Sequence, residues 1–325
     1  MPALSVVIPV YNCATYLPRL FASIESQSCK DAEYIFVDDG SLDESPVLLD
    51  RFAASRSDCR VIHQKNGGVS TARNAGIQAT RAKAITFLDG DDAFAPDGVG
   101  AMCRNLPAAD ACEVVVFDFF EIRGDRKTRM DANRSFATPE GPLAAMLKWK
   151  CRPEPWAKVY PKLFFSDIRF DETLRFEEDF FLLVELFARK NPAIVYVPEP
   201  VVEYYRIPGS ASLKNDFRRW YDALAEHVIR LAQDIPLSTE WDAKLAAFDI
   251  TTVFFGSLKS GKLPDAETFR RIAPKVELAR TLPGEWTQSL RFCELYQKSP
   301  ILGKCYLFYR ILRTQARLKL ERKNL

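Results

Sequence analysis

The apolar positions of the first 120 residues fall into short runs separated by helical spacing. Leu4-Ser-Val-Val-Ile-Pro-Val10, Glu33-Tyr-Ile-Phe-Val37, Arg60–His63 and Ala84–Leu88 are brief and rich in β-branched or aromatic residues, the pattern of strands buried on both faces. Between them Tyr16, Leu20, Ile24 and Gln27, then Val47, Leu48 and Phe52, then the span Val69–Thr80 carry helical periodicity. Strand and helix in alternation predict a parallel α/β sheet with right-handed crossovers. Glu113–Phe120 reads as a fifth strand.

From about Asp125 the pattern loosens. Pro139–Lys150 has helical spacing, a proline-rich stretch covers 152–162, Glu178–Lys190 is an apolar helix, and Ala193–Tyr205 is extended. From Leu213 onward the chain reads as helical, with breaks at Pro236, Pro264, Pro274, Pro283 and Pro300. This predicts an α/β domain over 1–212 and a helical C-terminal extension over 213–325.

The polar residues that close the early strands all lie at carboxyl ends: Tyr11-Asn12, Asp38-Asp39 and Asp89-Gly-Asp-Asp92. In open α/β sheets ligands bind outside those ends. Three carboxylates in one turn repel by roughly 4 kcal/mol per pair at ~4 Å and an effective dielectric near 20. A solvated turn tolerates this, and a bound divalent cation makes use of it.

Composition narrows the chemistry. With 47% hydrophobic and 27% charged residues and a net charge of +2, nothing in the whole-chain balance points to nucleic acid. Two histidines, His63 and His227, leave little for histidine-rich metal sites or a Ser-His-Asp triad, and His63 reads as structural. The eight cysteines include no C-x-x-C pair. The N-terminus lacks a signal-peptide pattern, and no apolar run approaches the ~20 residues of a membrane span. The expectation is a cytoplasmic protein with reduced cysteines.

The motifs "PVYN" at 9–12, "VDDGSLDES" at 37–45, "KNGGVSTARNAG" at 65–76 and "FLDGDD" at 87–92 together resemble the family 2 glycosyltransferases. "WAKVY" at 156–160, "RFEEDFF" at 175–181 and "YYRIPGSAS" at 204–212 follow in the family's order, so the resemblance covers roughly residues 3–212. It implies the inverting GT-A nucleotide-sugar fold and a Mn²⁺ or Mg²⁺ cofactor. Two departures touch no implied ligand: Ala82-Lys83 stands where relatives often carry glycine, and Leu42 replaces a small polar residue.

By resemblance, Pro9 and Tyr11 wall the base pocket and Asp39 accepts a hydrogen bond from a nucleobase imide, favouring a uridine-linked donor. Asn66 and Arg73 line the donor pocket, Asp89 faces the ribose, Asp91 contacts the metal, and Asp92 lies on the sugar side. Asp179 is the general base that takes the acceptor hydroxyl's proton, and Glu178 orients the acceptor. Trp156 and Lys158 shape the acceptor side, with a buried core Trp as the competing reading, and Arg206 and Ser210 lie in a segment over the diphosphate. The residues also admit plainer roles: Ser41-x-x-Glu44 is a passable capping box, Arg73 could be paired with an acid at the surface, and acids at 177–179 suit a helix N-terminus.

The last 22 residues, 304–325, carry seven Lys or Arg against one Glu, with apolar residues interleaved. Such a basic amphipathic helix can lie on an anionic membrane or pack as a domain or dimer element. The absence of G-x-x-x-x-G-K-[ST] and G-x-G-x-x-G excludes a P-loop or dinucleotide fingerprint. The reading is transfer of one sugar from a nucleotide-diphosphate donor to a glycan or lipid-linked glycan. A polyol-phosphate polymer or protein acceptor, or an idle sugar-nucleotide-binding scaffold, are the rivals.

Overall fold

A computed structural model describes residues 1–107, 112–137, 141–147, 151–174 and 178–207, and nine isolated positions beyond them. The chain divides into two compact units, Met1–Ser210 and Ala211–Leu325. In the second unit the described positions, among them buried Phe248, Ile250, Phe254 and Ile272, are helical. The rest of the expected helical extension, including the tail 304–325, lies outside the described residues, as does Ser210 of the first unit.

The first unit opens with β1 (Leu4–Val10), α1 (Leu17–Glu25), β2 (Ala32–Asp38), α2 (Ser45–Ala54), β3 (Cys59–His63), α3 (Val69–Ala79) and β4 (Ala84–Phe87). It continues through β5 (Ala93–Phe94), α4 (Gly98–Arg104), β6 (Glu113–Arg123), β7 (Arg126–Met130), α5 (Pro142–Leu147), β8 (Lys158–Pro161), α6 (Glu178–Lys190) and β9 (Ala193–Tyr205). The sheet order is β3-β2-β1-β4-β8-β6-β9-β5, with β7 paired to β6.

β1 to β4 are mutually parallel, as the buried apolar runs predict: every residue of β1 and β2 is buried, so no solvated face imposes alternation. Beyond β4 the sheet turns mixed. β8 pairs antiparallel with both β4 and β6 and joins the two halves, while β6 runs parallel to β9 with a register shift around Asp118. Apolar side chains of β1, β2, α1 and α2 form one core with those of β6, β8 and β9.

Several expectations need correction at their edges. The proline-rich 152–162 contains strand β8, held where the Thr86 hydroxyl donates to the Lys158 carbonyl at 2.7 Å. The proposed capping box does not form. α2 starts at Ser45, and the Ser41 hydroxyl instead accepts from the Asn12 N–H at 3.0 Å, which ties the β1 and β2 ends together. The cysteines are not all unpaired: Cys29 and Cys103 are joined as a disulfide, while Cys13, Cys59, Cys112 and Cys151 are free.

Candidate active site

The parallel strands end along one edge, and the polar residues gather there. Register pairs Val10 with Asp38 and Asp38 with His63, so the β1, β2 and β3 ends are level. Pro9 is buried in β1, Tyr11 is 48% exposed just beyond it, and Asn12 turns the chain with φ of 53°.

Asp39 is 3% exposed and engaged on both oxygens. Oδ1 accepts from the Gly67 N–H at 2.9 Å and from Gln64 Nε2 at 2.8 Å, and Oδ2 accepts from the Gly68 N–H at 2.8 Å. Asn66, exposed, donates to the Asp39 carbonyl at 2.9 Å. Asp39 therefore anchors the glycine loop ahead of α3. Gly40 makes the approach possible: φ is +70°, and a Cβ there would stand 2.8 Å from the Asn66 nitrogen.

The acidic turn follows β4. Gly90 sits so close to β1 that a Cβ would lie 3.0 Å from the Pro9 carbonyl oxygen. Asp91 is half-buried, and burial with the neighbouring Asp89 charge pushes its carboxyl up to about 6. Asp92 is 1% exposed and also raised, by burial first and by Asp91 and Asp89 after it. Its Oδ1 accepts from the Tyr205 N–H at 2.8 Å, whereas Oδ2 is buried without a hydrogen-bond partner. Among the described residues no three His, Cys, Asp or Glu side chains are grouped to hold an ion by themselves.

Arg73 crosses the site. From the middle of α3, 4% exposed, it donates Nη2 to Asp89 Oδ1 at 2.8 Å and Nη1 to Glu178 Oε1 at 2.9 Å. Its guanidinium carbon also lies 5.1 Å from the Phe170 ring centre. Burial works against this cation, but Asp89, Glu178 and Asp179 together hold its charge firmly. The sequence expectation placed Arg73 on the donor; the structure shows it bridging the acidic turn and the start of α6. Asp179 is half-buried in the first turn of α6, and its Oδ1 accepts from the Phe180 N–H at 2.7 Å. Its charge acts on Arg73, Lys158 and Tyr160.

Lys158 is fully buried and donates to the Glu154 carbonyl at 2.7 Å and the Arg152 carbonyl at 3.2 Å. Burial pushes its ammonium down to about 8, with Glu154, Cys151 and Asp179 opposing. Trp156 is 1% exposed, edge-on to Phe119 at 4.9 Å and stacked on Tyr204 at 5.2 Å between ring centres. At that exposure its ring is closed to a sugar. Arg206 donates to Glu121 Oε2 at 2.9 Å and its N–H to the Ile122 carbonyl, which ties the strand end to β6. Sequence reasoning missed Arg19, which donates to the Asp91 carbonyl and covers the Tyr205 ring. The one local signal was a cation in the first turn of a helix, where it is electrostatically out of place.

Residues 5–160 match the model of glycosyl transferase family 2. EpsH of Bacillus subtilis (strain 168), which carries a glycosyltransferase name, is 32% identical over 232 residues, 68% of this chain and 66% of its own length. Among solved structures, Staphylococcus aureus TarS 1–349 in complex with UDP-GlcNAc is similar with a TM-score of 0.67 at 17% identity, covering 99% of this chain and 92% of that 1–349 chain. The mannosyltransferase PcManGT from Pyrobaculum calidifontis, in complex with GDP-Man and Mn²⁺, gives 0.51 at 14% identity, over 97% and 86% of the two chains. The fold is that of the GT-A glycosyltransferases. The chain belongs to glycosyl transferase family 2.

Proposed function

We propose that this chain is an inverting, cation-dependent transferase that moves one sugar from a nucleotide-diphosphate donor to a hydroxyl of a glycan or lipid-linked glycan. The observation that carries the reading is the Arg73 bridge. It joins the carboxylate turn on the donor side to the start of α6 on the acceptor side, beside Asp179, so both halves of a transfer site share one buried cation.

The donor set fits a divalent cation. Mg²⁺ and Mn²⁺ take oxygen ligands, and at nucleotide sites one or two carboxylates suffice because phosphate oxygens complete the shell. Asp91, raised to about 6 by burial and a like charge, is a carboxylate that a cation would relieve. Asp91 would hold the ion, with Asp89 toward the ribose, and when bound the ion neutralises negative charge on the departing diphosphate.

The chain's own residues do the rest. The loop that Asp39 anchors, with Pro9, Tyr11 and Asn66, forms the nucleotide side. Asp179 takes the proton from the attacking hydroxyl, and Glu178, fixed by Arg73, sets the acceptor against it. Lys158, buried under the Glu154 and Arg152 carbonyls, holds the loop ahead of β8. Uridine is the first nucleotide to try, since TarS, of the same fold, holds UDP-GlcNAc. The tail 304–325 is assigned to a peripheral contact with an anionic membrane.

Calorimetric titration with UDP, TDP, GDP and ADP, with and without Mn²⁺, tests the donor half. Mn²⁺-dependent binding of UDP or TDP is expected, and it should be lost in Asp91→Ala. Binding of no nucleotide would turn the reading to an idle scaffold.

A further inference from the structure

Arg19 stands in the first turn of α1, facing the positive end of the helix dipole, so helix stability does not explain it. Its guanidinium carbon lies 3.5 Å from the Tyr205 ring centre and 5.7 Å from that of Tyr16, and Nη2 donates to the Asp91 carbonyl. Tyr205 ends β9, and its own N–H donates to Asp92 Oδ1. Three segments far apart in sequence thus meet around one guanidinium: the start of α1, the acidic turn and the end of β9. Arg19 Nε and Asp92 Oδ2 are both buried here without a hydrogen-bond partner.

The choice of acceptor matters. Arg19 bonds the main-chain carbonyl of Asp91, not its carboxylate, while its charge still acts on Asp91 and Asp92. A turn built to receive a cation needs such a partner, one that offsets carboxylate repulsion and fixes the backbone without filling the coordination site. A lysine would supply the charge but not the flat face that stacks on Tyr205.

We infer that Arg19 is a positioning residue that, braced on the Tyr205 ring, holds the Asp89–Asp92 turn in the geometry that receives a divalent cation with its diphosphate. The inference rests on the donor reading above. Its test is the affinity for Mn²⁺ measured by electron paramagnetic resonance in the presence of UDP, alongside thermal melting in EDTA.

Arg19→Gln and Tyr205→Leu should each weaken Mn²⁺ by roughly 10- to 100-fold, the usual cost of losing a group that orients a metal ligand. Thermal melting in EDTA should show both variants folded. Arg19→Lys should fall between the parent and Arg19→Gln. Tyr205→Phe, which keeps the ring and loses only the hydroxyl bond to Glu203, should behave as the parent. Combining Arg19→Gln with Tyr205→Leu should cost less than the sum, because the two act as one unit. Parent-like Mn²⁺ affinity in a folded Arg19→Gln protein would overturn the role of Arg19 alone. A parent that binds neither UDP nor Mn²⁺ would overturn the donor reading and this inference with it.

Discussion

At the scale of single residues, the site separates groups that are held from groups that are presented. Arg73 is held: buried and salt-bridged to two carboxylates, it would leave both uncompensated if truncated, a loss of roughly 3–5 kcal/mol. Asp39 is held as well, by two backbone N–H groups and an amide. Asp179 differs. It is half-buried at the start of α6, where its Oδ1 accepts from the Phe180 N–H, and a neutral amide of the same size can keep that bond. Asp179→Asn should therefore melt near the parent and bind nucleotide normally, while turnover falls by about 10²- to 10⁴-fold, the usual worth of a general base. Steady-state kinetics with calorimetry would check this, and full activity would remove Asp179 from the base position.

At the scale of elements, α3 is pressed against the sheet through Gly76. A Cβ there would stand 2.3 Å from Val7 Cγ1, and Val7 is wholly buried in β1. Ala is the better helix former by ~1 kcal/mol, but overpacking of ~1–3 kcal/mol should win. Gly76→Ala is expected to lower the urea midpoint, and adding Val7→Ala should restore more than additivity allows. A stabilised Gly76→Ala would mean that α3 docks more loosely than this contact requires.

The strands that α3 covers were legible because they are buried on both faces and read as unbroken apolar runs. β5 has two residues, β7 is the largely polar Arg126-Lys-Thr-Arg-Met130, and β8 contains a buried Lys158 and ends in Pro161. None carries a local period; β5 and β8 pair with strands distant in the chain, and β7 is a polar hairpin return on β6. The site divides the same way. Asp39, Asp89 and Asp91 were visible as acids at strand ends. The part played by Arg19 depends on Asp91 and Tyr205 approaching from elsewhere, and no spacing along α1 announces it. Trp156 shows the converse, since a motif position does not reveal which ring faces the core has already taken.

At the scale of the whole molecule, burial sets how stability responds to alkali. Burial pushes Cys13, Cys59 and Cys151 up to about 12. In the unfolded chain these thiols ionise near 8.5. Between those limits the folded state keeps protons that the unfolded state has released, so stability falls as pH rises, by up to ~1.4 kcal/mol per pH unit for each thiol. Lys158 acts in the opposite sense. Its folded value of about 8 lies below the unfolded one near 10.4, so its burial cost is relieved as pH climbs across that window. His63 is raised by its bonds to Asp38 and Asp50. Its contribution is complete below about 6.5 and is lost as pH rises through the folded value, but with 43% of the side chain exposed it is small. Among the described residues, three thiols against one ammonium decide the sign. The urea midpoint should fall steadily from pH 8.5 to 10.5, and Cys59→Ala should flatten the slope by about one proton's worth. A midpoint that instead rose over this range would mean that Lys158 outweighs the thiols, and that the cysteines reach solvent more readily than their places in the core allow.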